Sequence, residues 1–184
     1  MAFRAVVDAC ALYPLSLRDS LLRLAAAELF DIYWSDRILE EVATNLQKRG
    51  VASEAQATRL IEHMKAAFPA SAIPEEQIAQ LEEAMTNDEK DRHVLAAAVA
   101  AGAEALVTFN LADFAVEACA PLGIDPIHPD EFLLILDAIS PAAIEAVLAQ
   151  QAVDLRNPPM SLADLLTSLE RATPKFAQAV RSRI

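Results

Sequence analysis

Phe3-Arg4-Ala5-Val6-Val7-Asp8-Ala9-Cys10 is the stretch on which the fold turns. Ala5 to Val7 is a short apolar run rich in β-branched residues, the composition of a strand buried on both faces of a parallel sheet. Asp8 ends it. In open α/β sheets ligand chemistry collects at the carboxyl ends of strands, so an acid in that place is either a functional group or the cap of the next segment. Which of the two holds depends on whether other acids reach equivalent places.

The chain downstream alternates between helical and extended patterns. After a turn at Tyr13-Pro14, Ser16-Leu17-Arg18-Asp19 has the form of a capping box. Leu17, Leu21, Leu24 and Ala25 then recur on one face, which predicts a helix to about Leu29. Asp31 to Trp34 reads as a strand, and Ser35 as the cap of a helix to Arg49 that Gly50 ends. Ser53-Glu54-Ala55-Gln56 opens a third helix, closed by Pro69. An acid-rich helix follows over Pro74 to Met85, and Asp88 caps another from Glu89 to Ala101, stopped by Gly102. Strands are predicted at Ala105 to Thr108 and Ile124 to Ile127. This alternation points to an α/β fold with a central parallel sheet.

Past Asp130 only helices are predicted: Glu131 to Ile139, Ser140-Pro141 to Gln151, Ser161 to Arg171 and Pro174 to Arg183, with Asn157-Pro158-Pro159 as a linker. The expected organisation is an α/β domain over residues 1–135 and a helical extension over 136–184.

Composition narrows the function. The chain has 184 residues, 54% of them apolar, enough for a sizeable core. Its net charge of −12 argues against a protein that holds nucleic acid by bulk attraction. The acidic excess lies in residues 1–130, and the remainder is nearly neutral. No secretory pattern opens the chain, and the apolar run Val94 to Ala103 is too short to span a bilayer, so the expected location is the cytoplasm with no membrane partner. Cys10 and Cys119 fit no metal spacing and read as buried structural thiols. The apolar helices exceed what a small sheet can cover, which points weakly to a homodimer.

Three further acids can be placed relative to Asp8. In the helix after Ser35, the apolar stripe centres on Val42; Glu41 lies beside Ile38 and Asn45, whereas Glu40 faces solvent. Asp91 stands three and four residues before Val94 and Leu95 and shares their inward face, which a favourable helix dipole alone does not explain. Asp113 follows the strand ending near Thr108 and so emerges at the same end of the sheet as Asp8. Four acids meeting there would repel one another unless a cation sat among them. Oxygen ligands without a His or Cys cluster suit Mg²⁺ or Mn²⁺, ions that activate water against a phosphodiester.

Val-Val-Asp-Ala-Cys near the start, Trp34-Ser35 with Ile38-Leu39-Glu40-Glu41-Val42, Asp91-Arg92-His93-Val94-Leu95-Ala96-Ala97-Ala98, and Val107-Thr108-Phe109-Asn110 with Asp113-Phe114 resemble the ordered signatures of the PIN domain. The resemblance covers residues 3 to about 133. It implies a three-layer α/β/α fold and a Mg²⁺- or Mn²⁺-dependent endoribonuclease, commonly the toxin of a VapC-type toxin-antitoxin pair, with RNA as substrate and a cognate antitoxin as partner. Carried over, Asp8, Glu41, Asp91 and Asp113 are the metal-binding and catalytic acids. Asn110 stands where many members have an acid, so Asp113 takes the fourth position or Asn110 binds a metal-bound water. The tail from about residue 135 resembles a helical extension found in a subset of VapC-like proteins.

Ser35, Thr108 and Asn110 are candidates for orienting ligands or water. Arg37, Lys48 and Arg49, with Arg59 and Lys65, form the best local basic patch for an RNA backbone. His93 lies about 200° round its helix from Asp91 and reads as a surface or packing residue. Two other readings compete with the nuclease. One is a catalytically weak or inactive PIN-fold module that binds RNA or protein, which Asn110 keeps open. The other is an aspartyl phosphatase, weakened because Cys10 occupies the place of its usual second acid.

Overall fold

Arg4–Val7 form β1, the central strand of a five-stranded, wholly parallel sheet. The computed structural model describes residues 3–184. The other strands are Asp31–Ser35 (β2), Ala72–Ile73 (β3), Ala105–Val107 (β4) and Asp125–Ile127 (β5), in the order β3-β2-β1-β4-β5. Ala5, Val6 and Val7 are fully buried, as a strand covered on both faces requires. The chain winds outward from β1 through β2 to β3, then returns to add β4 and β5 on the other side. The reversal falls between β1 and β4, where open α/β sheets leave a crevice at their carboxyl end.

The layers follow from the helix stripes. Ala9–Leu12 (α1), Leu15–Ala26 (α2), Asp36–Lys48 (α3) and Glu54–Ala67 (α4) come first in the chain. Ser35 caps α3, and Ile38, Leu39, Val42 and Leu46 are its buried stripe. Ser53 and Gln56 cap α4 reciprocally, as their spacing predicts. Glu75–Glu82 (α5) packs beside Arg92–Ala101 (α6), and α6 crosses β1, β2 and β4. Val116–Cys119 (α7) leads to β5. Gly102, at φ 59°, ends α6 in the left-handed conformation that favours glycine, with Arg4 Nη1 only 3.3 Å from where a Cβ would stand. The result is a three-layer α/β/α arrangement.

Several local expectations shift. β3 has two residues between Ser71 and Pro74, too short a run to carry a pattern. The capping box expected at Ser16 does not form: α2 begins at Leu15 after Pro14, and Ser16 Oγ lies 2.6 Å from Ser168 Oγ. Asp88 caps a single 3₁₀ turn, Glu89–Asp91, and α6 starts only at Arg92. In β5, Asp125 N donates to Glu104 O at 2.9 Å and Ile127 O accepts from Thr108 N at 3.0 Å, so Pro126 points its backbone away from β4.

The C-terminal helices are Pro129–Ile139 (α8), Pro141–Asp154 (α9), Leu162–Glu170 (α10) and Pro174–Arg181 (α11). The division expected between residues 135 and 136 falls inside α8, which runs through it unbroken. Phe132 of α8 meets Phe30 edge-on at 4.9 Å and stacks on Phe3 at 6.0 Å, and the buried residues of all four helices belong to the same core as β1. α9 lies on α2, where Ser20 Oγ donates to Gln151 Oε1 at 2.8 Å and Arg23 Nη1 reaches Asp154 Oδ2 at 2.7 Å. Among the described residues, no single helix is long and apolar enough to cross a membrane.

α11 is held by an acid far away in the chain. Asp130, 4% exposed, accepts from Lys175 N at 3.1 Å and Phe176 N at 2.9 Å, capping α11 from α8. Charge-assisted bonds of this kind exceed neutral ones, and their loss orphans the first amides of the helix. Asp130→Ala is expected to lower unfolding stability by about 2–3 kcal/mol in urea melts; a loss within experimental error would show that α11 docks by its apolar face alone.

Candidate functional site

Because every strand runs the same way, Asp8 after β1, Ser35 at the end of β2 and Thr108 after β4 emerge at one end of the sheet. Asp8 is 4% exposed, and its backbone carbonyl starts α1 by accepting from Ala11 N at 3.0 Å and Leu12 N at 3.1 Å. Its carboxylate makes no capping bond, which removes the bland account of an acid in this place. Oδ2 instead accepts from Thr108 Oγ1 at 2.7 Å and from Cys10 Sγ at 3.1 Å. Both of these bonds fall on Oδ2 and leave Oδ1 for a ligand.

Thr108 and Cys10 are themselves fixed by the chain that follows β4. Asn110 N donates to Thr108 Oγ1 at 3.0 Å, and Phe109 N donates to Cys10 Sγ at 3.2 Å. Burial, reinforced by the neighbouring Asp8, pushes the Cys10 thiol up to about 12, so it stays a protonated donor. Cys10 was expected as a buried structural thiol; it is half-buried and orients the central acid.

Asp91 lies within the field of the other acids. It ends the 3₁₀ turn before α6, and its carboxyl is pushed up to about 6, first by partial burial and then by the charges of Asp8, Asp113, Asp88 and Glu41. A carboxylate feels four others in this way only if they are near. The two loops that carry Asp91 and Asp113 are joined directly, since Asp88 N donates to Asp113 O at 3.4 Å. Among the described residues, no Lys or Arg forms an ion pair with Asp8, Asp91 or Asp113.

Glu41 reaches the same region from the second turn of α3. Its side chain is about half exposed, with Oε1 3.0 Å from His93 Nε2. His93 is 1% exposed and ties α6 to α3, so of the two expected roles, surface or packing, the surface one does not hold. The signal was present: Val94 to Ala98 are all buried, so α6 is apolar all round and the side opposite Asp91 is inside too.

The remaining candidates separate. Ser35 is fully buried and its Oγ accepts from Ile38 N at 3.1 Å, so it is the cap of α3 and bonds no acid. Asn110 is exposed and contributes its backbone N–H. Arg37 is engaged by Glu82 at 2.6 and 3.0 Å and by Glu75 at 3.4 Å, which takes it out of the expected basic patch. Lys65 likewise pairs with Asp36 at 2.7 Å. Lys48 is exposed, and Arg49 lies over the Tyr13 ring at 5.0 Å.

Among the described residues, no group of three or more His, Cys, Asp or Glu is drawn together tightly enough to form a finished metal cage. The donor chemistry nevertheless fits a hard divalent cation. The charges of Asp8, Asp113, Asp88 and Glu41 all act on Asp91, no Lys or Arg among the described residues pairs with Asp8, Asp91 or Asp113, and the one thiol beside Asp8 is protonated.

Residues 4–112 match the family described as PIN domain, and residues 129–182 match one described as VapC50 C-terminal domain. A Mycobacterium tuberculosis protein named "Putative ribonuclease VapC50" is 42% identical over 98 residues, which cover 53% of this chain and 58% of that relative. The chain thus spans little more than half the length of the curated relative it matches. No solved structure matches the chain.

Proposed function

The chain belongs to the PIN-domain family, and from that premise we propose that it is a Mg²⁺- or Mn²⁺-dependent endoribonuclease, the toxin of a VapC-type pair held in check by a cognate antitoxin in the cytoplasm. The observation that carries this reading is the buried Asp8 carboxylate at the end of β1, which caps nothing and is held through Oδ2 by Thr108 and Cys10, with Oδ1 left for a ligand. Asp8 Oδ1, Asp91, Asp113 and Glu41 would hold the ion. Once bound, it would supply positive charge to a phosphodiester and acidify an attacking water.

The chain's own part is to place ligands. Thr108 and Cys10 fix the rotamer of Asp8 by two bonds to one oxygen, and His93 fixes Glu41. Asp113 and Asp91 are set by the linked loops. The name of the Mycobacterium tuberculosis relative supports ribonuclease chemistry. The test is cleavage of single-stranded RNA by the purified chain with divalent ions titrated in: cleavage that needs Mg²⁺ or Mn²⁺ and stops on chelation is expected, and cleavage indifferent to chelator would refute the proposal. Saturable Mn²⁺ binding without cleavage would favour the inert binding module.

The crowding of acids has a consequence for stability. A carboxyl whose folded value is raised stabilises the fold below its unfolded value of about 4, and that contribution is lost as pH rises through about 6. In chelator, Asp91 therefore costs stability at pH 7. Asp91→Asn is expected to raise metal-free stability there by about 1 kcal/mol, the full shift being discounted for partial exposure, and to have no such effect near pH 4. A lower melting temperature for Asp91→Asn at pH 7 would show that the acids are not crowded.

A further inference from the structure

Beside the acids lies a second feature that the metal chemistry does not use. A cleft of about 270 Å³ is lined by Cys10, Tyr13, Pro14, Asn45, Arg49 and Phe109. It is continuous with the acid site, because the Cys10 thiol that borders it donates to Asp8 and the Phe109 amide donates to that thiol. Its α3 wall extends the row that starts at Glu41: Asn45 and Arg49 follow at successive intervals of four residues, which align along one side of a helix. An acid, an amide and a guanidinium thus run outward from the reacting centre.

The geometry points to this cleft as the subsite for one unpaired nucleotide of a single-stranded RNA, next to the phosphate that the acids would address. Unpaired bases are gripped by stacking on aromatic rings and guanidinium planes and are read along their edges by amides. The half-buried rings of Phe109 and Tyr13 supply the faces, and the half-buried Asn45 amide supplies a donor and an acceptor. Arg49 lies over Tyr13, which leaves its charge available to a phosphate and its plane to a base. Phe109 is braced from behind by His128, edge to face at 5.0 Å.

Charge explains why such a grip is needed. The chain carries −12, and Arg23, Arg37, Lys65, Lys175, Arg181 and Arg183 are all engaged by acids of the same chain. With a large negative net charge and six of its 15 cations already engaged, the chain gains from holding RNA by stacking as well as by phosphate attraction.

The proposal rests on the nuclease reading, and its test separates the two. Binding is measured by fluorescence anisotropy of end-labelled oligouridylate, oligoadenylate and a duplex RNA to the inactive Asp8→Asn protein in Ca²⁺. Steady-state cleavage is measured with Asp8 intact. Phe109→Leu and Asn45→Ala are each expected to weaken single-strand binding about tenfold or more, and to raise KM far more than they lower kcat. Mn²⁺ affinity should stay at the parent's value, and the duplex should compete poorly. Arg49→Gln is expected to flatten the salt dependence of binding by about one ion. A parent that cleaves RNA while all three variants bind and cleave like it would overturn the subsite and leave the nuclease standing. Loss of single-strand binding in Phe109→Leu, with a parent that never cleaves, would support the subsite and refute the nuclease. Equal affinity for duplex and single strand would also overturn the subsite, because a paired base cannot enter the cleft.

Discussion

Asp8→Asn is expected to lower metal-dependent RNA cleavage by more than about 100-fold, with saturable Mn²⁺ binding lost in parallel. Partners that merely orient a ligand are worth about 10–100-fold, so removing the most buried of the ligands must cost at least as much. The substitution is nearly isosteric, and an amide oxygen can still accept from Thr108 Oγ1, now 2.7 Å from Asp8 Oδ2. It also removes one of the charges that push the Asp91 carboxyl up to about 6, so the melting temperature in chelator should not fall. Activity within tenfold of the parent would show that the reaction does not depend on this carboxylate.

The second large effect is expected at His93. It is 1% exposed, and its Nε2 lies 3.0 Å from Glu41 Oε1 while Nδ1 has no partner. Its position suits a group that holds Glu41 in place and touches no substrate. His93→Phe keeps the volume and deletes the donor; it is expected to weaken Mn²⁺ binding by about 10–100-fold while leaving thermal stability unchanged or higher. His93→Gln, whose amide can reach the same oxygen, should restore most of the affinity. If the two variants bind Mn²⁺ alike, or if affinity falls only as stability falls, His93 is a packing residue.

The parts of the fold that could be read from the sequence are those where one local signal decides. Val6-Val7-Asp8, the Ser35 cap and Val42 stripe of α3, the Ser53 capping box and the Gly102 stop each depend on residues within a turn or two of one another. The misses depend on distant partners. Ser16 looked like a cap because its companion, Ser168, is 152 positions away. Arg37 looked free because Glu82 lies on another helix, 45 positions on. β3 is two residues long and takes its strand character from pairing with β2 alone.

The candidate site divides in the same way. Strand direction brought Asp8 and Asp113 to one end of the sheet, periodicity set Glu41 and Asp91 beside the apolar stripes of their helices, and the resemblance to the PIN domain joined the four as a proposed site. The groups that orient them were not legible in this way: a thiol two positions after an acid, or a histidine on the far side of a helix from it, gains meaning only once α6 is seen to be enclosed on every side. The expected boundary falls inside α8 for a related reason. Phe132 belongs to the same aromatic cluster as Phe3 and Phe30, so the helix that seems to open an appendage also closes the first core.

Pro126 sits at the one position of β5 whose backbone faces outward, and on the opposite flank β3 is two residues long and runs straight into Pro74. Neither margin presents the run of free N–H groups that an extended peptide needs to add itself as a sixth strand. The sheet is therefore protected against fibril-like self-templating. A protein inhibitor would have to seat on helices and loops, since strand addition is closed to it.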